Sequence, residues 1–427
     1  MKFLNATAYL LSAGLLICCD KNDIDDNDSF NPPTIENTGV SLPYSILSTS
    51  NGVEIRNGGF GSAACAHPSK LGEFYAMTDR GPNADATGGK YFPVADYTPR
   101  IGHFKLNNDG TVSKVNEILF KTPAGIPISG RPNPVGFGST GEIAYDLSGS
   151  VLATDEYGLD SEGLAAMNDG SFWVSDEYGP HIVHYSNTGI QLERISPVGI
   201  NTGIRKLPAV FVKRWANRGM EGLTVTPDQK TLVGIMQSRL YNPSNAAATN
   251  KTLTRIVTFD IATGTTKQFL YKQEIDNNSN SEITALSASQ FLIIERDGNF
   301  SADGPVMKHI YKIDISKATD VSGNDFNAEN GYMVNGKTLE ANSWEELAQA
   351  NIIAVSKTLA VDVVKYLGGY PHDKLEGIWL INANTIGIIN DDDFGIWSDA
   401  TNKIKSKTLS PTSGSQKDSN KLYILKF

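Results

Sequence analysis

The sequence predicts an all-β chain: a β-propeller of five or six four-stranded blades with inserted loops and a short helix. Three observations predict it. A hairpin unit recurs along the chain, and acidic residues recur at the same place in each copy. The closing run KLYILKF, Lys421 to Phe427, reads as a strand that pairs with the N-terminal region and shuts the ring. A β-sandwich also alternates strands and turns, but it has no reason to repeat the same acids in each hairpin.

The clearest copy runs from Asp160 to Pro180 (DSEGLAAMNDGSFWVSDEYGP). Others start at Met220 (MEGLTVTPDQKTLVGIMQSR), Ser281 (SEITALSASQFLIIERDG) and Leu375 (LEGIWLINANTIGIINDDDFG). A degenerate first copy, Gly59 to Pro82, has glycine where the others carry glutamate. Apolar and β-branched runs flank the turn formers Asn168-Asp169-Gly170, Pro227-Asp228-Gln229 and Asn382-Ala383-Asn384, as a β-hairpin requires. Two more strand-like runs follow in the best copies, His181 to Tyr185 with Gln191 to Ile195, and Arg255 to Phe259 with Thr266 to Tyr271. Four antiparallel strands make one blade. Glu162, Glu221 and Glu282 stand about 60 residues apart, and the wider gaps hold insertions or a cryptic sixth blade. The second gap contains NSWEELAQA, a helix signal with Ser343 as N-cap.

Residues equidistant from a hairpin turn face each other. Glu162 then opposes Asp176, Glu376 opposes Asp391, Glu282 opposes Glu295 and Glu221 opposes Gln237. All lie at the hairpin end away from the turn, and the first strand of each blade lines the channel. Glu162, Glu221, Glu282 and Glu376 are therefore expected around one channel mouth, with Asp79 and Asp391 beside them. So many carboxylates cannot all stay ionised without compensation. Arg80, Arg218, Arg239, Arg296 and Lys374 offset part of the charge, and a divalent cation, calcium, is the economical balance for the rest. In a second reading each glutamate bonds backbone N–H groups of the neighbouring blade and ties the ring together. Zinc is disfavoured, because the six histidines are scattered with no ligand spacing. No Gly-x-Ser-x-Gly elbow and no phosphate-binding Lys-Ser/Thr loop occur.

A formal net charge of −10 excludes nucleic acid as a partner and fits a site that holds cations. Lys2 and the apolar run Ala8 to Ile17 read as an export signal. Leu16-Ile17-Cys18-Cys19 resembles a bacterial lipobox with Cys19 lipidated, Cys18 being the other possible acceptor. Cys65 is left alone in the body, so no disulfide framework is expected. The acidic run Asp20 to Asp28 reads as a solvated tether. The expected organisation is a lipoprotein signal peptide at 1–19, a linker at 20–43 and a propeller domain at 44–427. The expected location is the cell envelope, as an outer-membrane lipoprotein, monomeric and touching the bilayer only through its anchor.

Five segments together resemble the phytase-like domain family, described by an esterase-like activity of phytase. They are Met77-Thr78-Asp79-Arg80-Gly81-Pro82, Asp160-Ser161-Glu162-Gly163 with Trp173 to Pro180, Asn217 to Leu223, Glu295-Arg296-Asp297-Gly298, and Lys374-Leu375-Glu376-Gly377. The resemblance covers most of the chain from about Gly58 onward and implies a secreted or periplasmic propeller that hydrolyses phosphoesters or esters. On that hypothesis Asp176 or Glu177 is the general base, His181 or His372 a proton donor, and Arg80 and Arg218 clamp substrate oxygens. Two competing readings remain: a non-catalytic surface module, with Trp173, Trp379 and Trp397 as stacking surfaces, and a lactonase-type metal enzyme.

Overall fold

The computed structural model of the protein describes residues 30–410, 414 and 416–427. The signal peptide, Cys19 and the acidic run therefore lie outside the described residues. Among the described residues no helix is long and apolar enough to cross a membrane.

Five sheets of four or five strands make the body. The first blade orders Ala63–Ala66, Glu73–Met77, Arg100–Leu106 and Val112–Leu119 from the axis outward. The second begins with Ser161–Ala166 and Phe172–Asp176, the third with Met220–Val225 and Thr231–Met236, the fourth with Ser279–Ala285 and Gln290–Arg296. The fifth runs Gly377–Asn382, Thr385–Ile389, Lys421–Lys426 and Val40–Ser41. Its outer pair joins the two ends of the chain antiparallel, Val40 opposite Leu422, which is the closure expected from KLYILKF.

Among the described residues the blade count is five. The stretch before Glu162 carries a small three-stranded sheet, and the stretch before Glu376 completes the fourth blade around a long insertion; neither forms a sixth blade. The expected helix is there, Trp344–Gln349, with Ser343 and Glu346 forming a reciprocal capping box. The insertion is anchored to the third blade by Arg255 Nε on Glu340 Oε1 at 2.7 Å, both side chains fully buried.

The first two strands of the second, third and fourth blades are buried on both faces, which explains why they read as apolar runs rather than clean alternations. Trp173 and Val174 are neighbours on one strand and point opposite ways. Trp173 joins the core between the second and third blades, and Val174 the core between the first and second. Three more cores fill the remaining gaps, including one between the fifth and first blades, so the packing closes on itself. Trp379 is 2% exposed and stacks on Phe74 at 4.6 Å. Trp173 and Trp379 are thus core residues and not sugar platforms; truncating either to alanine costs about 3–5 kcal/mol.

The folded part also begins earlier than Tyr44. Phe30 packs on Trp379, Asn382 donates to the Phe30 carbonyl at 3.2 Å, and Val40–Ser41 is a blade strand. Residues 30–43 are therefore part of the propeller and not linker, because the last blade needs them to cover its edge.

Candidate functional site: an acidic cavity at one end of the channel

The inner strands crowd together around the axis. A Cβ on Gly163 would stand 2.3 Å from the Leu223 nitrogen, and one on Gly222 would stand 2.6 Å from the Ile283 nitrogen. Glycine after the blade glutamate is thus a condition of ring packing. The same strands carry a bulge one residue earlier. Ser161 pairs with Asp176 and Gly163 with Ser175, which leaves Glu162 as the extra residue. Met220 pairs with Met236 and Gly222 with Ile235, which does the same to Glu221. A bulge re-aims its side chain, and both carboxylates line a cavity of about 370 Å³ at this end of the channel. The opposite end is a smaller, mostly apolar cavity of about 250 Å³ containing Cys65.

Seven carboxylates line the acidic cavity: Asp79, Asp160, Glu162, Glu177, Glu221, Glu376 and Asp393. Five cations face them: Arg80, Lys90, Arg218, Arg296 and Lys374. Most of the cations are committed. Arg80 bonds Glu142 at 2.9 Å and lies 3.4 Å from Asp160. Arg296 pairs with Glu376, and Lys374 bridges Asp391 at 2.8 Å and Asp393 at 2.7 Å. Lys90 pairs with Asp85. Arg218 differs: it stacks over Trp215 at 4.1 Å and donates to Ser238, with no carboxylate ion pair among the described residues.

Three of the acids stand together. One oxygen each from Asp79, Asp160 and Glu162 lies within 4.8 Å of the other two. Burial and the Asp160 charge raise Asp79 to about 7, against the Gly81 N–H and Lys374, which favour its charged form. Burial, then Glu221 and Asp160, push Glu162 well above the usual carboxylate range. Glu177 and Glu221 form a carboxyl–carboxylate pair with Gln237 donating to both, at 3.2 and 2.6 Å. Burial and the Glu376 charge raise Glu221 to about 7, and Glu177 is raised further by burial and by Glu221 itself. The pair therefore holds a shared proton near neutrality. Glu221 Oε2 is buried with no hydrogen-bond partner. An oxygen-only donor set with an orphaned carboxylate oxygen fits a hard divalent cation such as calcium.

Of the residues singled out from sequence, the cavity brings together Asp79, Arg80, Glu162, Glu177, Arg218, Glu221 and Glu376. It leaves out four. Asp176 is fully buried and accepts from the Asp160 and Gly179 amides at 2.9 and 2.8 Å, so it braces the loop. His181 is fully buried between Ser196 and Asn133, and burial drives it well below its usual pKa. His372 is likewise buried, between Asp418 and Tyr423. Asp391 sits one layer back, on Lys374.

Glu282 is the instructive case. In the fourth blade the bulge falls at Ser281, between the pairs Asn280–Glu295 and Glu282–Ile294. That one-residue offset puts Glu282 where the other blades have glycine. Its carboxylate accepts from the Ile283 amide at 2.9 Å and from Ala64 of the first blade at 3.4 Å. Glu282 thus ties the ring, as the second reading of the glutamates anticipated, and lies outside the cavity lining. Its former partner Glu295 faces outward to Tyr271, Asn278 and Lys357. Asp160 was not among the expected ligands. It stands two residues before Glu162, just ahead of the inner strand Ser161–Ala166.

The sequence profile of the phytase-like family, described by esterase-like activity of phytase, matches residues 55–394. The chain is 27% identical to an uncharacterized secreted protein of Arthroderma benhamiae, over 62% of this chain, and spans 64% of that relative's length. Among solved structures it is similar to a Lactobacillus plantarum protein (11% identity, 90% of this chain and 98% of that one, TM-score 0.35). It is also similar to virginiamycin B lyase from Staphylococcus aureus (12% identity, 84% and 94%, TM-score 0.30) and to PorZ of the Porphyromonas gingivalis type-IX secretion system (11%, 84% and 34%, 0.35). At such scores the architecture rests on the chain's own five sheets.

Proposed function

Because the chain belongs to the phytase-like family, we propose that it is an exported hydrolase of phosphoester or carboxylic ester bonds, working at the acidic cavity with a divalent cation. The observation that carries this reading is the mismatch inside the cavity: a surplus of buried carboxylates beside one arginine, Arg218, that makes no carboxylate ion pair among the described residues. Asp79, Asp160 and Glu162 are the residues that would hold the cation, calcium by the hardness of the donors. When bound, such an ion supplies Lewis-acid polarisation of a substrate oxygen.

Arg218 binds an anionic oxygen of the substrate, its guanidinium held flat by Trp215. The ionised member of the Glu177–Glu221 pair takes a proton from the attacking water. The protonated member delivers one to the leaving alcohol oxygen as the ester bond breaks, so the pair ends with the proton count it began with. Gln237 donates to both carboxyls and fixes their orientation, and Arg80 positions Asp160. Export is supported by the secreted relative and by the N-terminal signal, with Cys19 as the lipidated residue.

Phosphomonoester and carboxylic ester hydrolysis, measured with and without exhaustive chelation, tests the proposal. Hydrolysis lost on chelation and restored by calcium is expected; hydrolysis untouched by chelation rejects the cation.

A further inference from the structure

The six histidines show no ligand spacing along the chain, yet the first blade folds two of them onto one glutamate. His67 follows the inner strand, Glu73 opens the second strand and His103 lies on the third, directly across from Tyr75. One ligand atom from each of His67, Glu73 and His103 lies within 4.8 Å of the other two. Glu73 and Met77 are opposite ends of one strand, and Met77 leads straight to Asp79. This cluster therefore sits toward the other face of the propeller, away from the acidic cavity.

We propose that His67, Glu73 and His103 form a second metal site, for a zinc-class divalent cation, that clips the first hairpin of the blade to its third strand. Two imidazoles and a carboxylate suit a borderline transition metal, whereas calcium takes oxygen alone. The ligands are held in place. Ser69 N–H donates to His67 Nδ1 at 3.2 Å, which places the ring proton on Nε2 in the metal-free protein; Nδ1 binds a cation by giving up this bond, or Nε2 by a tautomer shift. Both imidazoles pack on Tyr75, at 5.1 and 5.0 Å between ring centres. His103 Nε2 meets Glu73 Oε2 at 2.6 Å, a hydrogen bond in the metal-free protein. With bonds of about 2.0–2.1 Å, two ligands of a tetrahedral zinc stand about 3.3 Å apart. The contact needs to open by less than about 1 Å, which the partly exposed Glu73 permits by turning toward Lys70, 3.6 Å away. Half-burial of His67 and Glu73 leaves a fourth position to water.

Titration of the intact protein with cobalt(II) tests the site, because four-coordinate imidazole ligation gives an intense visible band and an all-oxygen site a weak one. One equivalent is expected to raise the band, zinc to bleach it, and Glu221→Gln to leave it intact. The band is expected to vanish in His103→Ala and in His67→Ala; the latter, at a half-exposed position, serves if the former does not fold. Zinc is also expected to raise Tm of the parent protein but not of His67→Ala. A folded protein with no intense band, or a band that survives in both histidine variants, overturns the site and leaves a plain histidine–carboxylate hydrogen bond.

Discussion

Stripped of divalent cations, this protein is expected to become less stable as pH rises from 5 to 8. Glu221 is fully buried, and burial with the Glu376 charge raises its pKa from 4.5 to about 7. Over that interval the native state keeps a proton that the unfolded chain has released, so stability falls with pH. The loss begins near the unfolded value and is complete above about pH 7. The rise is worth roughly 3 kcal/mol at about 1.36 kcal/mol per pKa unit. Asp79, raised to about 7 by burial and Asp160, acts in the same direction. For 427 residues the unfolding entropy is about 0.9 kcal/mol per kelvin, so Glu221 alone lowers Tm by roughly 3–4 °C. The assay is calorimetry across pH 5 to 8 in chelator, for the parent and for Glu221→Gln, with and without calcium. The variant should lose part of the slope, and calcium, by binding the ionised set, should remove most of it. A Tm that stays level or rises with pH in chelator, with the same profile in Glu221→Gln, refutes the reasoning.

Three further outcomes follow from the same geometry. Glu177→Gln should lower kcat about 10²–10⁴-fold while leaving the fold intact by circular dichroism, because it removes one member of the proton-sharing pair. Arg218→Ala should raise KM for an anionic substrate by about tenfold or more with a smaller change in kcat, since on the proposed function this side chain binds the substrate and it carries no ion pair among the described residues. Gly163→Ala should destabilise by about 1–3 kcal/mol in denaturant titration, because its Cβ would press on the Leu223 nitrogen at 2.3 Å.

The propeller was legible because its repeat is written in the chain. Glu162 and Glu221 each precede a glycine that lets neighbouring inner strands meet, and Leu422 finds Val40 as the closing strand suggested. Glu221 also meets Gln237 as hairpin symmetry implied. Symmetry failed where a single residue mattered. The bulge at Ser281 rotates Glu282 out of the cavity and into the ring, and nothing in SEITAL marks that offset. His181 neighbours the acids in sequence but points into a closed polar pocket beside Asn133. The His67–Glu73–His103 cluster was invisible for the opposite reason: cross-strand register, not spacing along the chain, brings its members together. Asp160 lies just ahead of the inner strand Ser161–Ala166, where hairpin symmetry pairs it with no other acid.

On the proposed function, Asp79, Asp160 and Glu162 would hold a divalent cation. Anomalous diffraction from crystals saturated with calcium tests it directly. A peak within about 2.3–2.6 Å of oxygens from all three residues is predicted. A cavity without anomalous density in crystals whose solution holds calcium in large excess would contradict it.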